Sequence, residues 1–463
     1  MRRSAALAVL AVALMGTGLA GCGTVSRLNP LHKSDSGNKI RASEGERIPL
    51  IAFNQKLEVS DALKGQSFFI PDPQPVASWP QPSGPEEWVD NLAAAPQFKV
   101  AWKRGFGEGS NRAYHLTAPP IAADGKIYVM DAEAHVLALD ASSGGRIWRV
   151  DLADRSKRDR EAFGGGLALD NGRLYVTSGY RFVAAIDPKT GKVIWRTKVD
   201  APIHGAPAVA DGRVLVINLD DELEAYNADT GIQEWTYQAL EEPARILKAS
   251  SPATAGETVV APFASGELVA LRAANGNEEW TVTLSRTSRT NALSEIRDIA
   301  GRPVVYQGQV FAGSHSGVFA DVDLRTGQAR WSLPVTMITT PWPAGDVVYV
   351  ISQAGEVVCA SRDNGQVYWI TELKTALEPK KKEKNAKKEA KRQKKDREMW
   401  FGPVLASGRL IVVSDKGEAT ALDPKTGAIQ STIKLGAPAL IGPIAMNGML
   451  YVVTDKAELV AIR

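Results

Sequence analysis

From residue 98 to its last residue the chain repeats one alternation of apolar and polar positions. A short apolar run such as "APAVADG" enters a tight turn: Asp124-Gly125, Asn171-Gly172, Asp211-Gly212, Ser407-Gly408 or Asn447-Gly448. Tight hairpins need positive φ at such positions, which Gly, Asn and Asp supply most easily. A second apolar stretch follows, as in "KIYVMDA", and then a third of alternating bulk, "HVLALD" or "FVAAID". A polar turn leads into the fourth. Seven of these turns align as "LDASSGGRIW", "IDPKTGKVIW", "YNADTGIQEW", "LRAANGNEEW", "VDLRTGQARW", "ASRDNGQVYW" and "LDPKTGAIQS". Gly stands sixth in each and Trp tenth (148, 195, 235, 280, 331 and 369), with Ser431 in the last Trp position. Four short antiparallel strands per unit, recurring every 40 to 50 residues or so, predict the blades of a β-propeller.

The two ends of the periodic region are incomplete in complementary ways. The last unit, "PIAMNGMLYVVTDKAELVAIR", holds three strands, while "FKVAWKRG" near residue 100 is a fourth strand with its Trp102 and no preceding three. A blade buries its faces only against neighbours, so a ring must close. The fragments therefore complete one shared blade, giving an all-β, eight-bladed propeller over residues 96–463, latched where the amino-terminal strand pairs with the carboxyl-terminal three. Because a net ladder bond contributes only about 1 kcal/mol, most of the latch must come from apolar burial.

Composition enters next. Hydrophobic residues at 44% and charged residues at 23% fit a globular chain with a sizeable core. The first residues differ: Arg2 and Arg3 precede the apolar run Ala5 to Leu14, and small residues lead to Leu19-Ala20-Gly21-Cys22. That is the layout of an export signal over 1–21, too short to span a membrane. Leu-Ala-Gly-Cys resembles the lipobox of bacterial lipoproteins, which implies that Cys22 is lipidated and anchors the mature chain; Gly23 after it implies the outer membrane. Several acyl chains at about 0.8 kcal/mol per buried methylene make a stable anchor. Residues 22–95 carry no sustained period, and "IPDPQPVASWPQPSGPEEW" is Pro-rich, so this stretch reads as an extended tether. Cys359, in "EVVCA", has no partner for a disulfide after processing and reads as a small buried hydrophobe.

The turn Asp-x-x-Thr-Gly-x-x-x-Trp resembles the repeat of quinoprotein dehydrogenases and their non-enzymatic relatives. With the lipobox, the Pro-rich leader and eight blades, the chain is similar to the BamB family, propeller lipoproteins of the machinery that assembles β-barrels in the outer membrane. The rival reading is a dehydrogenase dependent on pyrroloquinoline quinone. Such enzymes share an adjacent Cys pair, a Ca²⁺ site and an Asp base. This sequence has no Cys pair and no cluster of Asp, Glu and Asn outside the repeated turns, whereas a hard cation needs six or more oxygen ligands. His32, His115, His135, His204 and His315 lack metal-site spacing. The expectation is a non-enzymatic protein without cofactor or metal, since fold alone carries no function.

The resemblance also implies a partner surface. In BamB proteins two neighbouring links between blades bind the barrel-bearing subunit, BamA. The first maps onto "ARILKASSPA", giving Ile246, Leu247 and Lys248, and the second onto "EIRDIAGRP", giving Asp298. Lys248 stands where the family has a bidentate Arg, and Ala300 where it has a second Asp. Unfolded outer-membrane proteins are a further candidate partner, because blade rims are strand edges. The link 374–399 is separate: twelve basic and five acidic side chains give it a net +7, against +3 for the whole chain. Without Arg2 and Arg3 the remaining body is then about 6 negative. Lacking an apolar stripe, the link reads as a solvated insertion, or as a basic arm touching anionic lipid or an acidic partner. Nucleic acid is not expected, since aromatic interleaving is absent.

Overall fold

The computed structural model describes residues 38–41 as backbone and 57–82, 84–85, 88–153, 162–242, 246, 250–285, 296–373 and 398–463 in full. Cys22, Leu247, Lys248 and most of the Lys-rich link, 374–397, lie outside them. The described residues form eight sheets, each with four antiparallel strands. We number the blades 1 (121–151), 2 (165–198), 3 (208–238), 4 (253–283), 5 (304–333), 6 (342–372), 7 (400–434) and 8.

Blade 8 is the composite. Its outermost strand, Val100–Gly105, pairs with Glu458–Ile462, placing Val100 opposite Ile462 and Trp102 opposite Ala461. Lys99 and Arg463 extend the ladder by exchanging both backbone hydrogen bonds. The strand's partners Leu459, Val460, Ala461 and Ile462 are all wholly buried, so apolar packing accompanies the ladder.

The sixth-position glycines and tenth-position tryptophans form one clasp at successive seams. Gly191, Gly231, Gly276, Gly327, Gly365 and Gly427 all have φ between +71° and +73°, and on each lies the Trp of the preceding blade. Each of those indoles donates to a backbone carbonyl near that turn: Trp148 to Pro188, Trp195 to Ala228, Trp235 to Ala273, Trp280 to Leu324, Trp331 to Arg362 and Trp369 to Pro424. Trp102 lies against Gly144 in the same way. Ser431 has a physical reason: in the composite blade after it, the fourth strand Val100–Gly105 comes from the other side of the chain, so no Gly turn joins it to the third strand Glu458–Ile462 for a Trp to cover. Where an Asp opens the turn (140, 187, 323 and 423), it accepts backbone N–H bonds, as Asp187 Oδ1 does from Lys189 and Thr190, and Thr326 adds its hydroxyl to Asp323.

The reading of residues 22–95 as a tether needs correction from Leu57 onward. Instead of standing free, 57–98 is a strap across the face that carries the first-to-second hairpins. Trp79 bridges Ala122 of blade 1, the Pro80 carbonyl accepts from Leu169 of blade 2, and Leu92 bridges Ala406 of blade 7. The carbonyl of Val76 accepts from Asn447, and Ala95 N–H donates to Gly448, both in blade 8. Asp90 Oδ2 accepts from the Tyr306 hydroxyl of blade 5 and from Gly345 N–H of blade 6. Proline keeps this segment extended as expected, but Phe68, Val76, Trp79 and Leu92 are buried against the ring and hold it there. A further strand, Asn38–Arg41, pairs in parallel with Trp235–Gln238 at the outer edge of blade 3 and was not predicted.

Candidate functional site: the links over blades 3 to 5

Opposite the strap lies the face built from fourth-to-first links and second-to-third turns. The links from blade 3 to 4 and from blade 4 to 5 are neighbours on it, as expected. Three buried carboxylates hold the first link by its backbone. Glu267 Oε2 accepts from Leu240 N–H at 3.2 Å, Asp221 Oδ2 from Glu242 N–H at 3.2 Å, and Asp298 Oδ2 from Ile246 N–H at 3.1 Å. Asp221 and Glu267 are 1% exposed and Asp298 6%. Charged acceptors make strong hydrogen bonds in such surroundings. Ser265 donates to the same Glu267 oxygen, and Asp221 Oδ1 takes Ala264 N–H, so the second-to-third turns of blades 3 and 4 belong to one network.

The structure thus joins two of the sequence-derived site residues, Ile246 and Asp298, by a direct bond, and it changes the role of one. Asp298 is not a surface charge open to a partner. It positions the Ile246 segment from beneath, while its own carbonyl accepts from His315 N–H. Ile246 is half-buried; Ala300 is buried at 2% and turned away from solvent. Sequence reasoning missed Asp221 and Glu267, which look like ordinary turn and strand acids, and it missed Leu240. That leucine is 55% exposed at the start of the link, beside Glu241 and Glu242. An isolated apolar residue in "ALEEPARILK" was the available signal. An exposed Leu with a half-buried Ile between charges has the composition of an interface core with a polar rim.

No group of three or more His, Cys, Asp or Glu side chains with metal-binding geometry occurs among the described residues. A cavity of about 1010 Å³ lies on the strap face between Ser78, Pro80, Gln81 and Trp88 and the turns of blades 1 and 2. It is lined by Lys126, Arg173, Lys189 and Lys192 against Asp124, Asp170 and Asp187.

Structural likeness alone does not choose between binder and enzyme. BamB from Moraxella catarrhalis superimposes with a TM-score of 0.66 at 17% identity, covering 79% of this chain and 99% of that one. A europium-containing methanol dehydrogenase gives 0.61 at 15% identity, covering 81% and 89%. Both show the fold. In sequence, the outer membrane protein assembly factor BamB of Yersinia pestis is 27% identical over 313 residues, 66% of this chain and 77% of that protein. The profile of the family described as outer membrane protein assembly factor BamB matches residues 132–371 and 380–463. The chain belongs to the BamB family. Its match begins within blade 1 and runs to the last strand, with a break at 372–379 where blade 6 ends and the Lys-rich link begins.

Proposed function

We propose that this chain is a non-catalytic scaffold of outer-membrane protein assembly, anchored through Cys22 to the periplasmic side of the outer membrane. Its link face grips the barrel-bearing subunit, of BamA type, through Leu240, Ile246, Leu247 and Lys248, with Asp298 as a positioning residue. The observation that carries this reading is the fastening of the blade 3 to 4 link by three buried carboxylates. A loop held at Leu240, Glu242 and Ile246 loses little entropy on binding, which favours affinity. Among the described residues, the strap lies on the other face. Blade rims offer a second contact for unfolded outer-membrane clients. The parallel strand Asn38–Arg41 on the edge of blade 3 supports that reading, since it demonstrates that the edge accepts an added strand.

Replacing Leu247 and Asp298 together tests the partner site. Capture of the barrel-bearing subunit from detergent-solubilised membranes should be lost while the melt of the ring persists; undiminished capture rejects the site. Cys22→Ser should move the chain from the membrane to the soluble periplasmic fraction, and unchanged membrane retention rejects the anchor.

A further inference from the structure

Laid in register on their tryptophans, the outermost strands of the eight blades differ from one side of the ring to the other. The residue after the Trp is a cation in three consecutive blades: Lys103 in blade 8, Arg149 in blade 1 and Arg196 in blade 2. Blades 3 to 7 carry Thr236, Thr281, Ser332, Ile370 and Thr432 there, with Ser431 standing for the last Trp. The residue before the Trp is Ile147 in blade 1 and Ile194 in blade 2, but Glu234 in blade 3 and Glu279 in blade 4. Residues two apart on a strand share a side, so blades 1 and 2 each set an Ile beside an Arg on the side away from the Trp. Exposure agrees: Ile147 is 46% and Ile194 47% exposed, and Lys103, Arg149 and Arg196 face solvent while the tryptophans between are half-buried.

The two sides also differ in how their charges are answered. In blades 3 and 4, Glu234 accepts from Arg213 Nε at 2.8 Å, Glu278 from the Tyr237 hydroxyl at 2.7 Å and Glu279 from the Thr258 hydroxyl at 3.0 Å. The one cation on the outermost strands of blades 3 to 6, Arg330, lies 3.8 Å from Asp321. On the basic side, Lys103 Nζ and Arg196 Nη2 donate only to carbonyls, of Leu435 and Leu152. Arg146, Arg149 and Lys198 have neither an ion pair nor a side-chain hydrogen bond among the described residues. Asp151, the one acid on the outermost strands of blades 7, 8, 1 and 2, lies 3.6 Å from His135 Nε2. The acids of the adjoining turns, Asp140, Asp187 and Asp423, accept from N–H groups of their own turns.

Unanswered cations on a surface add little to the fold and are free for an outside anion. Their layout favours a broad charged sheet over a shaped partner, since the outer wall of a ring is convex and repeats its cations from blade to blade. Aliphatic side chains set among them suit the boundary between lipid headgroups and acyl chains. We propose that the outer wall of blades 8, 1 and 2 is a lipid-contact surface, with Lys103, Arg149 and Arg196 meeting the phosphates of anionic phospholipids while Ile147 and Ile194 enter the headgroup boundary. This rests on the membrane placement given above, but it is tested on a chain without the anchor, so the two readings fail separately.

The test is flotation of the mature chain carrying Cys22→Ser with vesicles of phosphatidylethanolamine and phosphatidylcholine, and with the same vesicles containing added phosphatidylglycerol. The protein should float with the anionic vesicles and be released by salt. Arg149→Glu with Lys198→Glu, both exposed and making no side-chain bonds, should weaken that binding at least about tenfold with an unchanged melt. Ile147→Ser with Ile194→Ser should also weaken it, while leaving its salt dependence in place. No flotation with anionic vesicles, or equal flotation with both kinds, overturns the surface. Undiminished flotation of the Arg149→Glu, Lys198→Glu variant does so too, since the Lys-rich link would then carry the binding. An unaffected Ile147→Ser, Ile194→Ser variant overturns the insertion. If no vesicle binds the wild type and the charge variant loses the barrel-bearing subunit instead, the wall meets an acidic protein and the lipid assignment is wrong.

Discussion

Trp195 of blade 2 rests on Gly231 of blade 3, so closely that a Cβ on that glycine would lie 2.4 Å from the indole Cε3, while the indole N–H donates 3.0 Å to Ala228 O. Gly212, in the first-to-second hairpin of the same blade, has a similar φ of +70° and open space around it. The pair separates backbone strain from packing. Gly212→Ala should cost about 1 kcal/mol, the penalty of a left-handed alanine. Gly231→Ala adds overpacking and should cost about 2–4 kcal/mol. Urea melts of the two variants check this, and equal losses would mean that the Trp clasp adds nothing.

Glu224, 4% exposed between blades 2 and 3, accepts from the Tyr226 hydroxyl at 2.6 Å and from Asn218 Nδ2 at 2.9 Å. Desolvation outweighs both bonds and raises its carboxyl from 4.5 to about 7, with Glu222 and Asp200 adding repulsion. The folded state therefore binds the proton more tightly than the unfolded one. Its contribution to stability is fully present below pH 4.5, declines as pH rises, and levels off above pH 7. Glu224→Gln should be more stable than wild type at pH 8 by roughly 2 kcal/mol, the ionic penalty less about 1 kcal/mol for the lost Tyr226 bond. At pH 4.5 the advantage should vanish or reverse. Paired urea titrations at the two pH values decide it.

On the strap, Asp90 joins blades 5 and 6 by accepting from Tyr306 and Gly345. Burial and the neighbouring Asp90 carboxylate both push the Tyr306 hydroxyl upward, so it remains a donor throughout the physiological range. Asp90→Ala leaves two donors unanswered and should cost about 2–4 kcal/mol. Limited proteolysis should then cut first between 57 and 98 while the ring resists. Simultaneous loss of strap and ring would instead mean that the two unfold together.

At the link face, Leu240→Glu and Asp298→Ala should act differently on one interaction. The first removes a contact from the surface and should weaken partner capture at least tenfold, about 1.4 kcal/mol, with an unchanged melt. The second frees the backbone of Ile246, so it should weaken capture and also raise hydrogen exchange in the link from 240 to 250. Faster exchange in Leu240→Glu, or none in Asp298→Ala, would reverse these roles.

How much of this was legible in the sequence follows from what each feature rests on. The blades and their clasp are local and repeated: a Gly needing φ near +72° and a Trp four residues later recur often enough to read each other's meaning. The shared blade followed from the missing strands at either end. The strap did not, because its anchors are single bridges to six blades (1, 2, 5, 6, 7 and 8), and isolated bridges impose no period on residues 57–98. Asp298 was legible as a member of the site but not as a buried acceptor, since burial depends on neighbours more than fifty residues away, such as Ile246. Lys103, Arg149 and Arg196 were passed over because each follows a Trp that the repeat already explained, and their agreement emerges only when eight outermost strands are laid in register.

That strap would have a mechanical consequence if the chain is anchored through Cys22, on its amino-terminal side, as proposed. The closing strand Val100–Gly105 follows it in the chain, so a pull from that side is first divided among its anchors on six separate blades. The seam where the two termini meet is the last place to feel tension, protected by everything wound on before it.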